Sequence, residues 1–218
     1  MMSSFQEQSL LIDAPAGVLE VQMILQSGER STKDNLAIIC HPNPTQGGTM
    51  SNKVVSTLYR YCRDVGMDVL RFNFRGVGRS TGRVGTGDGE FLDALTVLKF
   101  ALTQTKARRL WLAGFSFGGY VACRVADYLK HAEDLTDVHL RNLVLIAPSV
   151  LRDGINDLTW YTDHAFMIYG DQDELVPPAA MQNFAEQHHM PTTVIETGHF
   201  FHAKLVELRQ ALEFHTLI

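Results

Sequence analysis

A serine between two glycines stands near the middle of the chain, where an apolar run meets a helical pattern. Residues 110–113 are apolar, as in a buried strand, and a Gly-x-Ser-x-Gly stretch follows at 114–118. Apolar residues then recur every four positions from Val121 to Leu129, as on one face of a helix. A strand, this turn and a helix form the context of a nucleophile elbow, where a strained turn presents a serine hydroxyl. The pattern therefore predicts Ser116 as a nucleophile, with glycines required because side chains there would collide with the neighbouring elements.

A serine hydroxyl is a weak nucleophile at neutral pH, so it needs a base, and the base needs an orienting carboxylate. Two acids follow Ser116 after one apolar run, Asp171 and Asp173, and two histidines follow the next run, His199 and His202. Serine, then acid, then histidine is the chain order expected of an architecture in which a nucleophile elbow joins a strand to a helix. The order alone leaves Asp171 open as a rival acid and His202, which we expect inside the first turn of the last helix, as a rival base.

An oxyanion formed at the serine would need two N–H donors. Phe117, directly after the serine, supplies one backbone N–H, and the loop at residues 41–48 is expected to supply the other. Pro42 and Pro44 have no N–H, so Asn43 is the only donor between them, and the prolines would stiffen it. The alternative is that these prolines only end a strand. His41 is expected to hydrogen-bond within the loop.

The elements that position these residues follow from alternating apolar runs and amphipathic patterns. This alternation predicts βαβ units, hence a mostly parallel twisted sheet with helices on both faces. The first two strands are expected to form an antiparallel edge through a turn at residues 14–17. Predicted strands cover residues 10–13, 18–25, 36–40, 68–73, 110–113, 142–146, 166–169 and 192–195. Predicted helices lie around residues 55–65, 91–102, 121–129, 179–187 and 205–212.

The candidate cleft is expected to be open. Only residues 147–165 separate the strand ending at 146 from the next strand, too few for a lid domain that could bury a long chain. Met50, Phe115 and Trp160 are expected to line the substrate cleft. The expected partner is a small-molecule acyl substrate.

With these motifs in this order, the chain resembles the α/β-hydrolase superfamily over nearly its whole length. Within it, the chain is similar to the small, lidless, bacterial dienelactone-hydrolase-like group with a His-Pro-Asn-Pro stretch, here at residues 41–44. The family pattern Gly-x-x-Asp-x-x-Val matches residues 170–176 and selects Asp173 as the acid. The family stretch Gly-His-Phe-Phe matches residues 198–201 and selects His199 as the base.

Two further comparisons with the family bear on structure and substrate. The Arg-Gly-x-Gly-x-Ser loop at residues 75–80 also matches the family, where it is structural; it lacks the third glycine of a dinucleotide-binding motif. Dienelactone hydrolases proper use a cysteine where Ser116 stands here. The resemblance therefore does not imply a lactone substrate.

The resemblance implies an α/β-hydrolase fold without a lid, as a single domain over residues 1–218. It implies a serine hydrolase that cleaves a carboxylic ester through a Ser-His-Asp triad and an acyl-enzyme intermediate. A thioesterase or peptidase would use the same machinery. A protein of a different class, a catalytically silent binding protein on the same fold, is the other alternative.

Composition limits the remaining possibilities. The chain has 218 residues, of which 45% are hydrophobic and 20% charged, as expected of an ordinary globular domain. A net charge of −5 without a basic face argues against nucleic acid as a partner. No apolar run is long enough to span a membrane, and residues 1–7 do not predict a signal peptide. We expect a monomer or weak homodimer.

Cysteine and histidine usage favours a cytoplasmic protein without a metal. The three cysteines, an odd number in apolar contexts, predict reduced, buried thiols at positions 40, 62 and 123. His199 and His202 could suggest a metal pair, but no third ligand is placed by spacing. Neither a metal nor another cofactor is expected.

Overall fold

The structure, a computed structural model, describes residues 6–26 and 34–218. Its strands are β1 (Gln6–Ala14), β2 (Gly17–Leu25), β3 (Asn35–Cys40), β4 (Asp68–Phe72), β5 (Arg109–Phe115), β6 (His139–Ile146), β7 (His164–Gly170) and β8 (Thr192–Ile195). Its helices are α1 (Lys53–Asp64), α2 (Asp88–Gln104), α3 (Phe117–Leu129), α4 (Pro178–Gln187) and α5 (Leu205–His215). Residues 1–5, on which the prediction about a signal peptide mainly depends, lie outside the described range.

All eight strands form one sheet in the order β1-β2-β4-β3-β5-β6-β7-β8. β1 and β2 form an antiparallel hairpin in which Ala14 pairs with Gly17, and β2 also runs antiparallel to β4. From β4 to β8 every pairing is parallel. The predicted fold class, a mostly parallel sheet with an antiparallel N-terminal edge, is confirmed.

The helices cover the two faces of this sheet, with α1 packed against α5 and α2 against α3. Every residue of the central strand β3 is buried, as expected of a strand covered on both faces. The thiols of Cys40, Cys62 and Cys123 are free and buried, as predicted. Within the described residues, no helix has the length and apolarity needed to cross a membrane.

Two local features bear on the candidate site. The connection between β6 and β7 contains only the 3-10 turn Ile155–Asp157, so there is no lid, as predicted. The last helix begins at Leu205, so His202 precedes it and lies in a turn. The prediction that His202 lies inside this helix was therefore wrong, because the 3.6-residue pattern of leucines starts only at Leu205.

Candidate active site

Ser116 occupies the sharp turn between β5 and α3. Its φ is 55° and its ψ is −117°, a conformation that a non-glycine residue holds only when its surroundings enforce it. Its N–H donates to the carbonyl of Ile146 at 2.9 Å, and its carbonyl accepts from the N–H of Ser149 at 3.0 Å. These bonds tie the turn to the end of β6 and hold the serine at the carboxyl edge of the sheet.

The two glycines of the elbow are required by close backbone approach. A Cβ atom at Gly114 would lie 2.0 Å from the carbonyl oxygen of Gly118, in the first turn of α3. A Cβ atom at Gly118 would lie 2.2 Å from the carbonyl oxygen of Cys40, at the end of β3. Both distances are far below van der Waals contact, which confirms the steric explanation drawn from the sequence.

His199 and Asp173 meet in a buried pair beside this turn. The Nδ1–H of His199 donates to Oδ2 of Asp173 at 2.7 Å. The other carboxylate oxygen, Oδ1, accepts from the backbone N–H groups of Leu175 at 2.9 Å and Val176 at 2.8 Å. Burial raises the pKa of Asp173, but the bonds from His199, Val176 and Leu175 outweigh it and hold this pKa below its usual value. The carboxylate is therefore ionised and fixed, and can orient the imidazole.

The imidazole of His199 is held between two aromatic rings. The centroids of Phe115 and Phe200 each lie 5.1 Å from that of His199, and the residue is 1% exposed. The rival residues stand elsewhere: Asp171 is exposed and accepts from the N–H of Thr197. His202 is exposed in its turn. The structure thus brings Asp173, and not Asp171, to His199.

The loop after β3 holds Asn43 rigidly. Its side-chain Oδ1 accepts from the N–H and the hydroxyl of Thr45, at 3.0 and 2.9 Å. Its carbonyl accepts from the N–H groups of Gln46 and Gly48, at 3.1 and 3.0 Å. Among the described residues, the N–H groups of Asn43 and Phe117 have no acceptor. Both are free to donate to an oxygen in the cleft.

His41 is fully buried behind this loop and connects it to the chain after β4. Its Nδ1–H donates to the carbonyl of Pro42 at 2.7 Å, and its Nε2 accepts from the N–H of Phe74 at 3.0 Å. Burial lowers the pKa of His41 to about 4, against the smaller opposing effect of the bond to Pro42. The neutral ring thus fixes the Pro42 carbonyl, and with it the peptide plane that carries the N–H of Asn43.

The loop at residues 75–80 has the structural function expected of it. The Arg75 guanidinium bonds the fully buried carboxylate of Asp93 at 2.7 Å. The hydroxyl of Ser80 donates to the carbonyl of Asn73 at 2.7 Å. The Asn73 side chain in turn accepts from the N–H of Met50 at 2.9 Å. The loop therefore braces the segment that follows the Asn43 loop.

A small cleft of about 50 Å³ opens above Ser116. Its walls come from the loop after β3 and from the loops after β7 and β8. Its lining residues are Pro42, Asn43, Gln46, Gly47, Gly48, Asn52, Ser116, Leu175, His199 and Phe200. Sequence reasoning did not single out Gln46, Asn52, Leu175 or Phe200. Asn52 is the polar residue directly before α1, and this helix-start signal could have identified it.

None of the three side chains expected to line the substrate cleft does so. Met50 is buried, and its backbone bonds Asn73 and Arg71 behind the loop. Phe115 is fully buried against the ring of His199. Trp160 stacks on His188 at 4.7 Å, beside the end of α4. These expectations rested on the nearness of Met50 and Phe115 to the nucleophile and on the place of Trp160 in the segment 147–165, and neither fixes the direction of a side chain.

No group of three or more histidine, cysteine, aspartate or glutamate side chains is placed to hold a metal ion in residues 6–26 and 34–218. The polar groups at the cleft are a hydroxyl, a buried imidazole–carboxylate pair and free backbone N–H groups.

Comparisons with known proteins identify the family and the fold. A family model described as alpha/beta hydrolase fold matches residues 38–163. XC6422 from Xanthomonas campestris, described as a member of the a/b serine hydrolases without a lid, is 38% identical. The structural alignment covers 96% of this chain and 93% of the XC6422 chain, with a TM-score of 0.84.

Two further solved structures are similar. An alpha-beta serine hydrolase homologue from Coxiella burnetii is 36% identical, covers 97% of each chain and has a TM-score of 0.82. The Pyrococcus furiosus esterase Pf2001 is 18% identical. Its alignment covers 97% of this chain and 93% of the esterase chain, with a TM-score of 0.71. The second likeness is one of fold alone.

Proposed function

The chain belongs to the alpha/beta hydrolase fold family, whose fold supports hydrolase activity, and on that premise we propose that it is a serine hydrolase that cleaves carboxylic esters of small acyl groups. One observation carries the proposal. The buried His199–Asp173 hydrogen bond of 2.7 Å lies at the same cleft as the strained Ser116. A base that is oriented by an ionised carboxylate beside a presented hydroxyl is the arrangement that activates a serine.

In the first half of the proposed reaction, Oγ of Ser116 attacks the ester carbonyl carbon, and its proton passes to Nε2 of His199. The carbonyl oxygen becomes an oxyanion, which accepts from the N–H groups of Asn43 and Phe117. The C–O bond of the ester then breaks, and His199 returns the proton to the departing alcohol oxygen. Asp173 stabilises the imidazolium while it carries the proton.

In the second half, water attacks the acyl-enzyme and gives a proton to His199. The Ser116–acyl bond breaks, the serine oxygen recovers the proton, and the carboxylic acid leaves. The free N–H groups serve the second oxyanion as they serve the first, so no part of the site has to rearrange between the two halves.

The similar Xanthomonas protein, described as a serine hydrolase without a lid, supports this assignment. A thioester would follow the same steps with a thiolate as leaving group. The catalytic machinery does not distinguish the two substrates, so parallel assays on matched esters and thioesters decide between them.

The test is covalent labelling by a fluorophosphonate, which reacts with an activated serine. We expect labelling of the wild type and its loss in Ser116→Ala. Ser51→Ala is the matched control, because Ser51 is an exposed serine close to the same cleft wall. Labelling that survives Ser116→Ala, or a wild type that neither labels nor hydrolyses any short-chain nitrophenyl ester, would overturn the proposal.

A further inference from the structure

The side-chain amide of Asn52 has a fixed orientation at the rim of the cleft. Asn52 is the N-cap of α1, and its Oδ1 accepts from the N–H of Val54 at 2.9 Å. Only an oxygen can accept from this N–H, so the hydrogen bond settles which end of the amide is which. The NH₂ end has no acceptor among the described residues, and Asn52 lines the cleft. The free polar group of the Asn52 side chain at the cleft is therefore its NH₂ donor.

The same holds for the side chain of Asn43, on the same wall. Its Oδ1 accepts twice from Thr45, which leaves its NH₂ group without a partner in the described part of the chain. The wall made by the loop after β3 and the start of α1 thus presents hydrogen-bond donors whose orientation is set by the backbone. Such a wall suits a ligand that brings acceptors.

The opposite wall is apolar. Leu175 is 47% exposed and Phe200 is 40% exposed, and both lie beside His199 at the cleft. The leaving oxygen must come within hydrogen-bond reach of the histidine that protonates it. In the proposed reaction, the alcohol part of an ester would therefore lie along this apolar wall, and the acyl part would face the donor wall.

Building on the ester hydrolase function proposed above, we propose that Asn52 determines acyl specificity by donating a hydrogen bond to an oxygen carried by the acyl group. The preferred substrates are then esters of ether, hydroxy or keto acids with an apolar alcohol. An aliphatic acyl group of the same size would cover the Asn52 donor without pairing it, and an unpaired donor costs binding energy in the transition state.

The test compares nitrophenyl esters in pairs that differ by one acceptor oxygen: methoxyacetate against butyrate, and 4-oxopentanoate against pentanoate. The leaving group is constant, and each ratio of kcat/KM values is compared between proteins, which cancels the intrinsic reactivity of the esters. Asn52→Asp and Asn52→Ser both keep an N-cap acceptor for Val54 and remove the NH₂ donor. Asn183→Asp, on the exposed face of α4, is the control for the same chemical change outside the cleft.

We expect the oxygen-over-alkyl ratio to fall roughly 3- to 10-fold in both Asn52 variants in at least one pair, and to stay at the wild-type value in Asn183→Asp. Ratios that remain at the wild-type value in both pairs, in enzymes that still hydrolyse the esters, would overturn the role of Asn52 alone. A wild type that hydrolyses none of the esters would instead overturn the function on which it rests.

Discussion

At the scale of single residues, the candidate site depends on hydrogen bonds that leave each group one orientation. Asp173 accepts three hydrogen bonds, of which one comes from His199, so the carboxylate cannot turn away from the imidazole. His199 is in turn held between Phe115 and Phe200. Because Ser116, His199 and Asp173 would act as one unit, the loss of any of them should remove most of the rate enhancement.

The first prediction concerns this unit. Ser116→Ala, His199→Ala and Asp173→Asn should each lower the turnover of a short-chain nitrophenyl ester by about 10³-fold or more, while far-UV circular dichroism shows an intact fold. Double variants should lose little beyond the worse single variant. Steady-state kinetics on the three single and three double variants test this. Multiplicative losses in the doubles would mean that the three residues act independently.

The second prediction concerns the buried His41 and the stability of the fold. Its pKa drops from 6.5 in the unfolded chain to about 4 in the folded protein, chiefly through burial. Between these values the unfolded chain binds a proton that the folded protein does not. The contribution of neutral His41 to the free energy of unfolding is thus fully present above pH 6.5. It is lost as the pH falls toward 4, by up to roughly 3 kcal/mol.

Urea unfolding at a series of pH values between 4 and 6.5 measures this loss. Burial also lowers the pKa values of His188 and His215, which act in the same direction. The comparison with His41→Asn, which cannot titrate, isolates the share of His41 because the other histidines are common to both proteins. Equal pH slopes in the two proteins would contradict the buried, neutral state of His41.

At the scale of elements, the candidate site lies where two strands and a helix pack so closely that no side chain fits between their backbones. β5, α3 and β3 meet at the elbow with glycine at both contact points, Gly114 and Gly118. This close approach brings the start of α3, with its free N–H groups, next to the end of β3 and its Asn43 loop. The oxyanion site would therefore be assembled by backbone packing before any side chain contributes.

The third prediction tests this close approach. Gly114→Ala should lower the free energy of unfolding by about 3 kcal/mol or more, since its Cβ atom would meet the α3 backbone at 2.0 Å. Gly154→Ala is the matched control. Gly154 has a positive φ of 74° but no atom within 4 Å of the added Cβ, so we expect a loss of only about 1 kcal/mol.

Denaturant unfolding of both alanine variants provides the measurement. A loss at Gly114 no larger than the loss at Gly154 would contradict the close contact with α3, because Gly114 itself has no positive φ.

At the scale of the whole molecule, the fold leaves the cleft open. The sheet places Ser116 and His199 at its carboxyl edge, and the connection between β6 and β7 adds only a 3-10 turn above them. A cleft of about 50 Å³ buries little of a long acyl chain, and each methylene that is buried contributes only about 0.8 kcal/mol.

The fourth prediction follows from this shape. The enzyme should prefer acyl groups of roughly two to six carbons and show no activation at a lipid–water interface, because longer chains gain no further burial. Specificity constants for acetyl, butyryl, octanoyl and palmitoyl nitrophenyl esters test the preference. A maximum at palmitoyl would contradict an open cleft and indicate that another surface covers the site.

The sequence by itself determined the order of elements and the place of the candidate nucleophile. Apolar periodicity is a local property, so it located β3, β5 and the helix after Ser116 to within a few residues. The elbow was also predictable, because the Gly-x-Ser-x-Gly pattern lies in one short stretch of chain, although the contact that requires Gly118 is with the distant Cys40. The acid was selected only by a family resemblance, since Asp171 and Asp173 are equivalent in local pattern.

The tertiary structure alone decided which side chains face the cleft and which carboxylate meets the imidazole. Asp173 is distinguished from Asp171 by the turn that bonds its Oδ1 to Leu175 and Val176 and aims Oδ2 at His199. The residues that line the cleft include Asn52 and Phe200 and do not include the predicted Met50, Phe115 and Trp160. The physical reason is that a cleft forms between loops distant in the chain. Its walls depend on loop conformation and long-range packing, which no local pattern of residues encodes.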